Sequence, residues 1–213
     1  MQFNPIPNII FELLPEKAIL WRDEKTLIVS DLHIGKGGHF RRNGIAMPQE
    51  TNTEILWTLS GLLSEKKPER LLLLGDLFHS TYNQDWEHFA DMLANFNDLH
   101  VELVRGNHDI IPEHHFERSG IKCFDDKVEQ GIHFTHEPIE EESALKGYNL
   151  CGHIHPAVGL RGAARQYLRL PCFWFAKKMG VMPAFGYFTG THCIRPAKHD
   201  KVFAIAENQV LEV

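Results

Sequence analysis

Leu99-His100-Val101-Glu102-Leu103-Val104-Arg105-Gly106-Asn107-His108-Asp109 joins an apolar-rich run to a glycine and three polar side chains. Residues 99–104 predict a short strand, and Ile110-Ile111-Pro112 then turns the chain. A strand that empties into such a cluster sets it at the strand's carboxyl end, where open α/β sheets place their chemistry. Asn offers a metal a neutral oxygen, and His moves a proton near neutral pH. Asp can hold that imidazole in one orientation. On its own the stretch also reads as a turn of loop-forming residues. Four other stretches share its design.

Upstream, Ala18–Trp21 and residues 26–30 predict paired strands across a turn at 22–25, the second delivering Asp31-Leu32-His33. A polar connection over 34–47 contains Gly35, Lys36, Gly37, Gly38, Arg41 and Arg42. Pro48 suits a first helical position. Ile55, Leu59, Leu62 and Leu63 then share one helical face that ends at Pro68. Residues 71–74 are all leucine, the pattern of a strand buried on both faces, and deliver Gly75-Asp76. Trp86, Phe89, Ala90 and Leu93 predict a second amphipathic helix. This alternation of strand, loop and helix predicts an α/β fold.

From about Lys122 short strands recur with little helical periodicity: Lys127–Glu129, 132–135, Tyr148–Cys151, 167–170, 202–206 and Gln209–Glu212. Residues 132–135 deliver His136, and Tyr148–Cys151 delivers Gly152-His153-Ile154-His155-Pro156. No repeat, low-complexity tract or linker interrupts the 213 residues, so one domain over 1–213 is expected. Hydrophobic residues make up 43% of the chain, enough for a substantial core. The four cysteines have no CxxC spacing, residues 1–14 lack a basic leader, and no apolar run nears the roughly 20 residues of a membrane span. A reduced, cytoplasmic protein without membrane contact is the expectation.

Asp31, His33, Asp76, Asn107, His136, His153 and His155 each follow an expected strand. Each also has an ordinary explanation, as a hydrogen-bonded loop histidine, a cap or a solvated strand face. Five such coincidences in order favour a common purpose. Seven carboxylate, imidazole and amide groups exceed one tetrahedral zinc site. They suit two divalent ions sharing a carboxylate. Two ions about 3.5–4 Å apart form the clamp used for displacement at phosphorus. His108 would stand beside them, stabilising or protonating the leaving oxygen.

The order Asp31-x-His33, Gly75-Asp76, Gly106-Asn107-His108-Asp109, His136, Gly152-His153-x-His155 resembles the calcineurin-like metallophosphoesterases. The resemblance implies a metal-dependent phosphoesterase with a four-layer α/β/β/α sandwich of two mixed sheets. It implies one metal on Asp31, His33, Asp76 and His155, and a second on Asp76, Asn107, His136 and His153. It gives His108 to the leaving group, with Asp109 orienting it. A narrower likeness is to the bacterial ligase-associated phosphoesterases of the DNA damage response. It rests on Asp31-Leu32-His33-Ile34-Gly35-Lys36, Phe40-Arg41-Arg42-Asn43-Gly44-Ile45, Gly152 to Pro156, Leu170-Pro171-Cys172-Phe173-Trp174 and Pro183 to Gly190. That likeness implies a manganese-dependent phosphodiesterase or endonuclease, with Fe, Zn or Mg as other metals. It also implies a DNA ligase, a helicase and an exonuclease as partners.

Protein phosphatases of the superfamily carry Asp-Arg-Gly after the second block, whereas Asp76-Leu77-Phe78-His79 has no Arg, which argues against that activity. His79 either touches substrate or bonds within its loop. Arg41 and Arg42 are candidate phosphate clamps, because a guanidinium forks onto phosphate oxygens. DNA, small phosphodiesters, and an inactive scaffold of the same fold remain as functional readings. The net charge is −6, yet residues 151–199 hold seven cations and no acid, interleaved with Tyr167, Phe173, Trp174, Phe175, Phe185, Tyr187 and Phe188. That segment is either a core strand set with scattered cations or a face for nucleic acid.

Overall fold

The computed structural model describes residues 1–36, 51–79, 82–140, 144–161, 167–187 and 189–213. Among them, β1 (Gln2–Phe3), β2 (Phe11–Leu14), β3 (Ala18–Trp21), β4 (Thr26–Val29), β5 (Arg70–Leu74), β6 (His100–Val104) and β7 (Ile121–Phe124) form one sheet in that order. Pairing is antiparallel from β1 to β4 and parallel from β4 to β7. The switch has a local cause. The β3–β4 turn closes in four residues, with Lys25 N donating to Arg22 O at 3.0 Å, so those strands must run oppositely. Parallel neighbours need crossovers, and helices supply them.

Helix α1 (Thr51–Lys66) lies between β4 and β5, α2 (Gln84–Leu93) between β5 and β6, and α3 (Glu113–Arg118) between β6 and β7. Ile55, Leu59, Leu62 and Leu63 of α1 are buried, as their spacing predicts. That helix stops at Lys67, whose φ of 47° is left-handed, just before Pro68. Asn83 caps α2 by accepting from Asp85 N at 2.8 Å.

The second sheet holds β8 (Lys127–Glu129), β9 (Ile132–Phe134), β10 (Tyr148–Cys151), β11 (Pro156–Arg161), β12 (Tyr167–Phe175), β13 (Met179–Val181), β14 (His192–Cys193), β15 (Lys201–Ala206) and β16 (Gln209–Glu212). Its order is β14-β11-β12-β13-β10-β9-β8, with β15 paired to β12 and β16 to β15. Strand β10 runs parallel to β9 and β13, whereas β12 is antiparallel to β11, β13 and β15. Both sheets are therefore mixed.

Two apolar clusters set the layers. Leu27, Val29, Leu71, Leu73, Leu103 and the buried faces of α1, α2 and α3 form one. Phe11, Trp21, Ile28, Leu72, Leu74 and Val104 of the first sheet meet Phe134, Leu150, Phe173, Phe175 and Phe203 of the second in the other. Successive leucines of β5 thus serve alternate clusters, which explains why all are buried. The α/β fold with two mixed sheets is the one expected. The described helices all pack on the first sheet, so helix, sheet and sheet are the layers seen among the described residues. Far from the carboxyl ends, Arg70 forks onto Glu129 at 2.7 and 2.8 Å, and Lys127 reaches Glu102 at 2.5 Å, tying the sheets at that end.

The sheet interface makes a direct prediction. Phe134 is fully buried between the sheets, so Phe134→Ala is expected to cost about 3–5 kcal/mol of stability in urea unfolding. Trp57, 73% exposed on α1, is the control, and Trp57→Ala should stay within about 0.5 kcal/mol.

Candidate metal centre

Five loops leave the carboxyl ends of β4, β5, β6, β9 and β10 and converge. Asp31 N donates to Gly75 O at 3.1 Å, and His33 N to Asp76 O at 2.9 Å, fastening the first loop to the second. Gly152 N donates to His136 O at 3.0 Å, fastening the fifth to the fourth. His153 N donates to Asp31 Oδ2 at 3.0 Å and joins the two sheets. Phe185 N to Ser30 O at 2.8 Å, and Gly186 N to Asp31 O at 3.1 Å, close the site from the segment after β13.

Asp31, His33 and His155 each offer one donor atom, and these atoms lie within 4.8 Å of one another. Asp76, His136 and His153 make a second such group. Asp76 faces both. Its Oδ2 is 3.6 Å from His33 Nε2, and its Oδ1 is 3.4 Å from His136 Nε2. Asp31 is fully buried and Asp76 3% exposed, a costly placement for carboxylates unless cations or hydrogen bonds compensate. Asp31 Oδ2 accepts from Ser30 Oγ and His153 N. Asp31 Oδ1, His33 Nε2 and His155 Nε2 are buried with no hydrogen-bond partner. Three orphaned donor atoms, one from each member of the first group, fit a divalent cation there.

The imidazoles are oriented for this. His136 Nδ1 lies 3.0 Å from Leu74 O and His155 Nδ1 3.2 Å from Thr189 O. Each carbonyl accepts a hydrogen bond from Nδ1–H, which leaves each Nε2 with a lone pair. Burial, chiefly, and then Lys36 push His33 down to about 2, so it is a neutral imidazole at physiological pH. Gly75, at φ 75°, precedes Asp76 where a Cβ would strike the His136 ring. Gly152 allows the close approach of its loop to Ser30 and Asp31 for the same reason.

Asn107 sits beside the second group, its Nδ2 donating to Glu137, whose Oε1 is 3.8 Å from His153 Nε2. His108 donates its backbone N–H to Asp76 Oδ1 at 2.9 Å. Its imidazole is half exposed, 3.9 Å from Asp76 Oδ2. His79 packs on that ring at 3.9 Å between centroids and places its Nδ1 3.2 Å from His33 Nδ1. His79 is half-buried and packs within the site against His33 and His108.

Asp109 differs from the imidazole-orienting arrangement. Its Oδ2 accepts from Gly106 N at 2.8 Å and its Oδ1 from Phe78 N at 3.2 Å. Both oxygens are spent on backbone, so Asp109 fixes the loop that carries His108 and touches no imidazole nitrogen among the described contacts. Its burial pushes its carboxyl up to about 6, against those two backbone N–H groups. Arg41 and Arg42 lie outside the described residues.

Sequence reasoning missed Ser30, Glu137 and the carbonyls of Leu74 and Thr189. Glu137 follows His136 directly, which was its only signal. A backbone carbonyl has none. In the cation-rich segment, Phe173, Phe175 and Phe185 are core, whereas Tyr167 and Tyr187 are exposed by 55% and 48%. No helix among the described residues is long and apolar enough to cross a membrane.

A family model for calcineurin-like phosphoesterases matches residues 24–169. Nuclease MPE of Pseudomonas putida is similar over 100% of this chain and 99% of its own, at 30% identity and a TM-score of 0.84. Weaker likenesses are a protein of unknown function, AQ665, from Aquifex aeolicus and the E. coli phosphoesterase YfcE. The first has 19% identity, coverage of 61% and 78%, and a TM-score of 0.43. The second has 14% identity, coverage of 88% and 97%, and a TM-score of 0.43. Comparison with curated protein sequences gives no match. The chain belongs to the calcineurin-like phosphoesterase family and is a metal-dependent phosphoester hydrolase.

Proposed function

We propose that this hydrolase is a two-metal, manganese-dependent phosphodiesterase or endonuclease that cuts DNA in the damage response. The observation that carries the two-metal part is the place of Asp76, one oxygen toward each donor group. The DNA part is supported by the full-length likeness to a nuclease and by the acid-free segment beginning at the site. Oxygen and imidazole donors without thiolate suit manganese, with Fe, Zn and Mg as the other candidates. In this reading the whole of residues 1–213 is one catalytic domain acting in the cytoplasm, with a DNA ligase, a helicase and an exonuclease as partners.

Asp31, His33, Asp76 and His155 would hold one ion, and Asp76, Asn107, His136 and His153 the other. Bound ions would supply Lewis-acid charge for the phosphoryl oxygens and a nucleophilic water. The protein does the rest. Carbonyls of Leu74 and Thr189 fix two imidazoles, and the His108 backbone fixes Asp76. The half-exposed His108 ring stands at the open side, where it can give a proton to the leaving oxygen. Asp109 keeps that loop in place, and the neighbouring His79 ring would contact the substrate. Arg41 and Arg42 would clamp a flanking phosphate.

The deciding experiment incubates protein and Mn²⁺ with single-stranded, nicked and duplex DNA beside cyclic nucleotides. Cleavage of DNA is expected, and the product lengths tell internal from terminal cutting. Turnover of cyclic nucleotides alone would replace this reading with a small-phosphodiester hydrolase.

Asp76→Asn is expected to lose more activity than any single histidine variant, with metal content falling by elemental analysis. Near wild-type turnover with two bound ions would remove Asp76 from the bridging position. His108→Ala should keep both ions yet lose about 10²–10⁴-fold on substrates with poor leaving groups. The loss should be much smaller with a p-nitrophenolate leaving group. Equal losses on both would assign His108 an electrostatic or positional role.

A further inference from the structure

Beside the second donor group lies a 370 Å³ cavity lined by His153, Ile154, Trp174, His192, Ile194 and Arg195. We infer that this cavity is a nucleotide subsite, in which Trp174 stacks on an unpaired base next to the scissile bond and Arg195 holds the adjoining phosphate. The inference rests on the nucleic-acid reading above and names where the strand lies.

The cavity is built rather than incidental. In β12, Phe173 and Phe175 point into the core, so the alternation of the strand turns Trp174 outward. The indole is held by its Nε1–H, which donates to Asp200 Oδ2 at 2.8 Å. The same oxygen accepts from Ala197 N at 2.8 Å, so the Arg195 segment and the indole share one anchor. The opposite wall is tied to the candidate metal ligands: His192 N donates to His155 O at 2.9 Å, and Ile194 N to Ala157 O at 2.9 Å. An anchored ring loses little freedom when a base stacks on it.

The chemistry of the wall suits a nucleotide. The volume lies within the range of about 300–1,000 Å³ typical of small-ligand sites. Among the described residues no carboxylate lines it, although Asp200 holds the indole from behind and Glu137 stands 3.8 Å from His153, and residues 151–199 contain no acid. Arg195 is exposed and has no ion pair among the described residues. An unpaired guanidinium is available for a phosphate, and the half-buried indole borders the cavity, where a ring can stack on any base. His153 belongs both to this cavity and to the second donor group, so a base here adjoins the phosphate at the centre. A duplex has no free base face to offer, so the subsite selects single strands.

The test compares Arg195→Ala, Trp174→Leu and Trp174→Phe with the wild type. The readouts are kcat/KM on a fluorescent oligothymidylate and on bis(p-nitrophenyl) phosphate, both with Mn²⁺, and melting temperature. Trp174→Leu should lower the ratio of DNA to aryl-ester efficiency about tenfold or more, and Trp174→Phe, which keeps a ring, should restore most of it. Arg195→Ala, a surface change, should lower the ratio and reduce the salt slope of oligonucleotide binding by about one charge's worth. An unchanged ratio and slope in Arg195→Ala, or equal losses in Leu and Phe variants, would overturn the subsite while DNA cutting by the wild type stands. A wild type that hydrolyses the aryl ester and leaves oligothymidylate intact would overturn the nucleic-acid reading, and the subsite with it.

Discussion

The hydrogen bond from His153 N to Asp31 Oδ2 is where the two sheets become one site. Asp31 leaves β4 of the first sheet and His153 leaves β10 of the second, and neither sheet alone carries a complete donor group. The same carboxylate oxygen takes Ser30 Oγ, so its orientation is fixed twice. That leaves Oδ1 directed at His155 Nε2, 3.2 Å away, with no hydrogen bond to complete it. A fully buried carboxylate with one oxygen left orphaned costs a few kcal/mol if nothing arrives to satisfy it. A divalent cation removes that cost, so the loop arrangement and metal occupancy stabilise each other.

Backbone conformation is the second constraint. Asp31, His33, Asp76, His153 and His155 have φ of 54°, 49°, 49°, 63° and 50°, a left-handed region that costs non-glycine residues of order 1–3 kcal/mol each. Such residues bend the chain sharply at the strand end, which keeps successive side chains near one point. The cost is offset by the loop-to-loop backbone bonds and by the ladder of parallel strands behind them. The ion pairs among Arg70, Glu129, Lys127 and Glu102 fasten the far ends of the same strands. The two sheets are therefore tied to each other both at the centre and at the far end.

The strand-end logic was legible because parallel strands leave a plain signature. Four consecutive leucines, Leu71 to Leu74, announce a strand with two buried faces, and Gly75-Asp76 announces its end. The amphipathic spacing of Ile55, Leu59 and Leu62 marked α1 equally well. Other elements were not readable. Strands β1, β13 and β14 are two or three residues long and, unlike the equally short β8 and β9, were not marked out by the sequence. The six residues of α3 hide behind Pro112 and two polar histidines, with Phe116 as their only buried side chain. The sites that hold the ligands in place, carbonyls of Leu74 and Thr189, depend on where chain segments meet, which no local pattern encodes. Asp109 shows the same limit: its position beside His108 suggested a contact with the ring, and only the fold reveals that Gly106 N and Phe78 N take both oxygens.

The aromatic residues of the second half show how one strand divides its side chains between the core and a cavity wall beside the centre. Read as composition, Phe173-Trp174-Phe175 is a single apolar run. Folded, the two phenylalanines close the interface with the first sheet, Phe175 stacking on Phe3 and facing Phe203, while the indole between them turns to the other side. Period two divides the run, and the division is enforced, since a one-residue slip would expose both phenylalanines and bury the indole away from Asp200. The core thereby fixes the position of a surface ring to the precision of the β12–β15 register. A ring so placed lies next to loops that bear the candidate ligands and are themselves held by backbone bonds, so the register of the core fixes its distance from the centre.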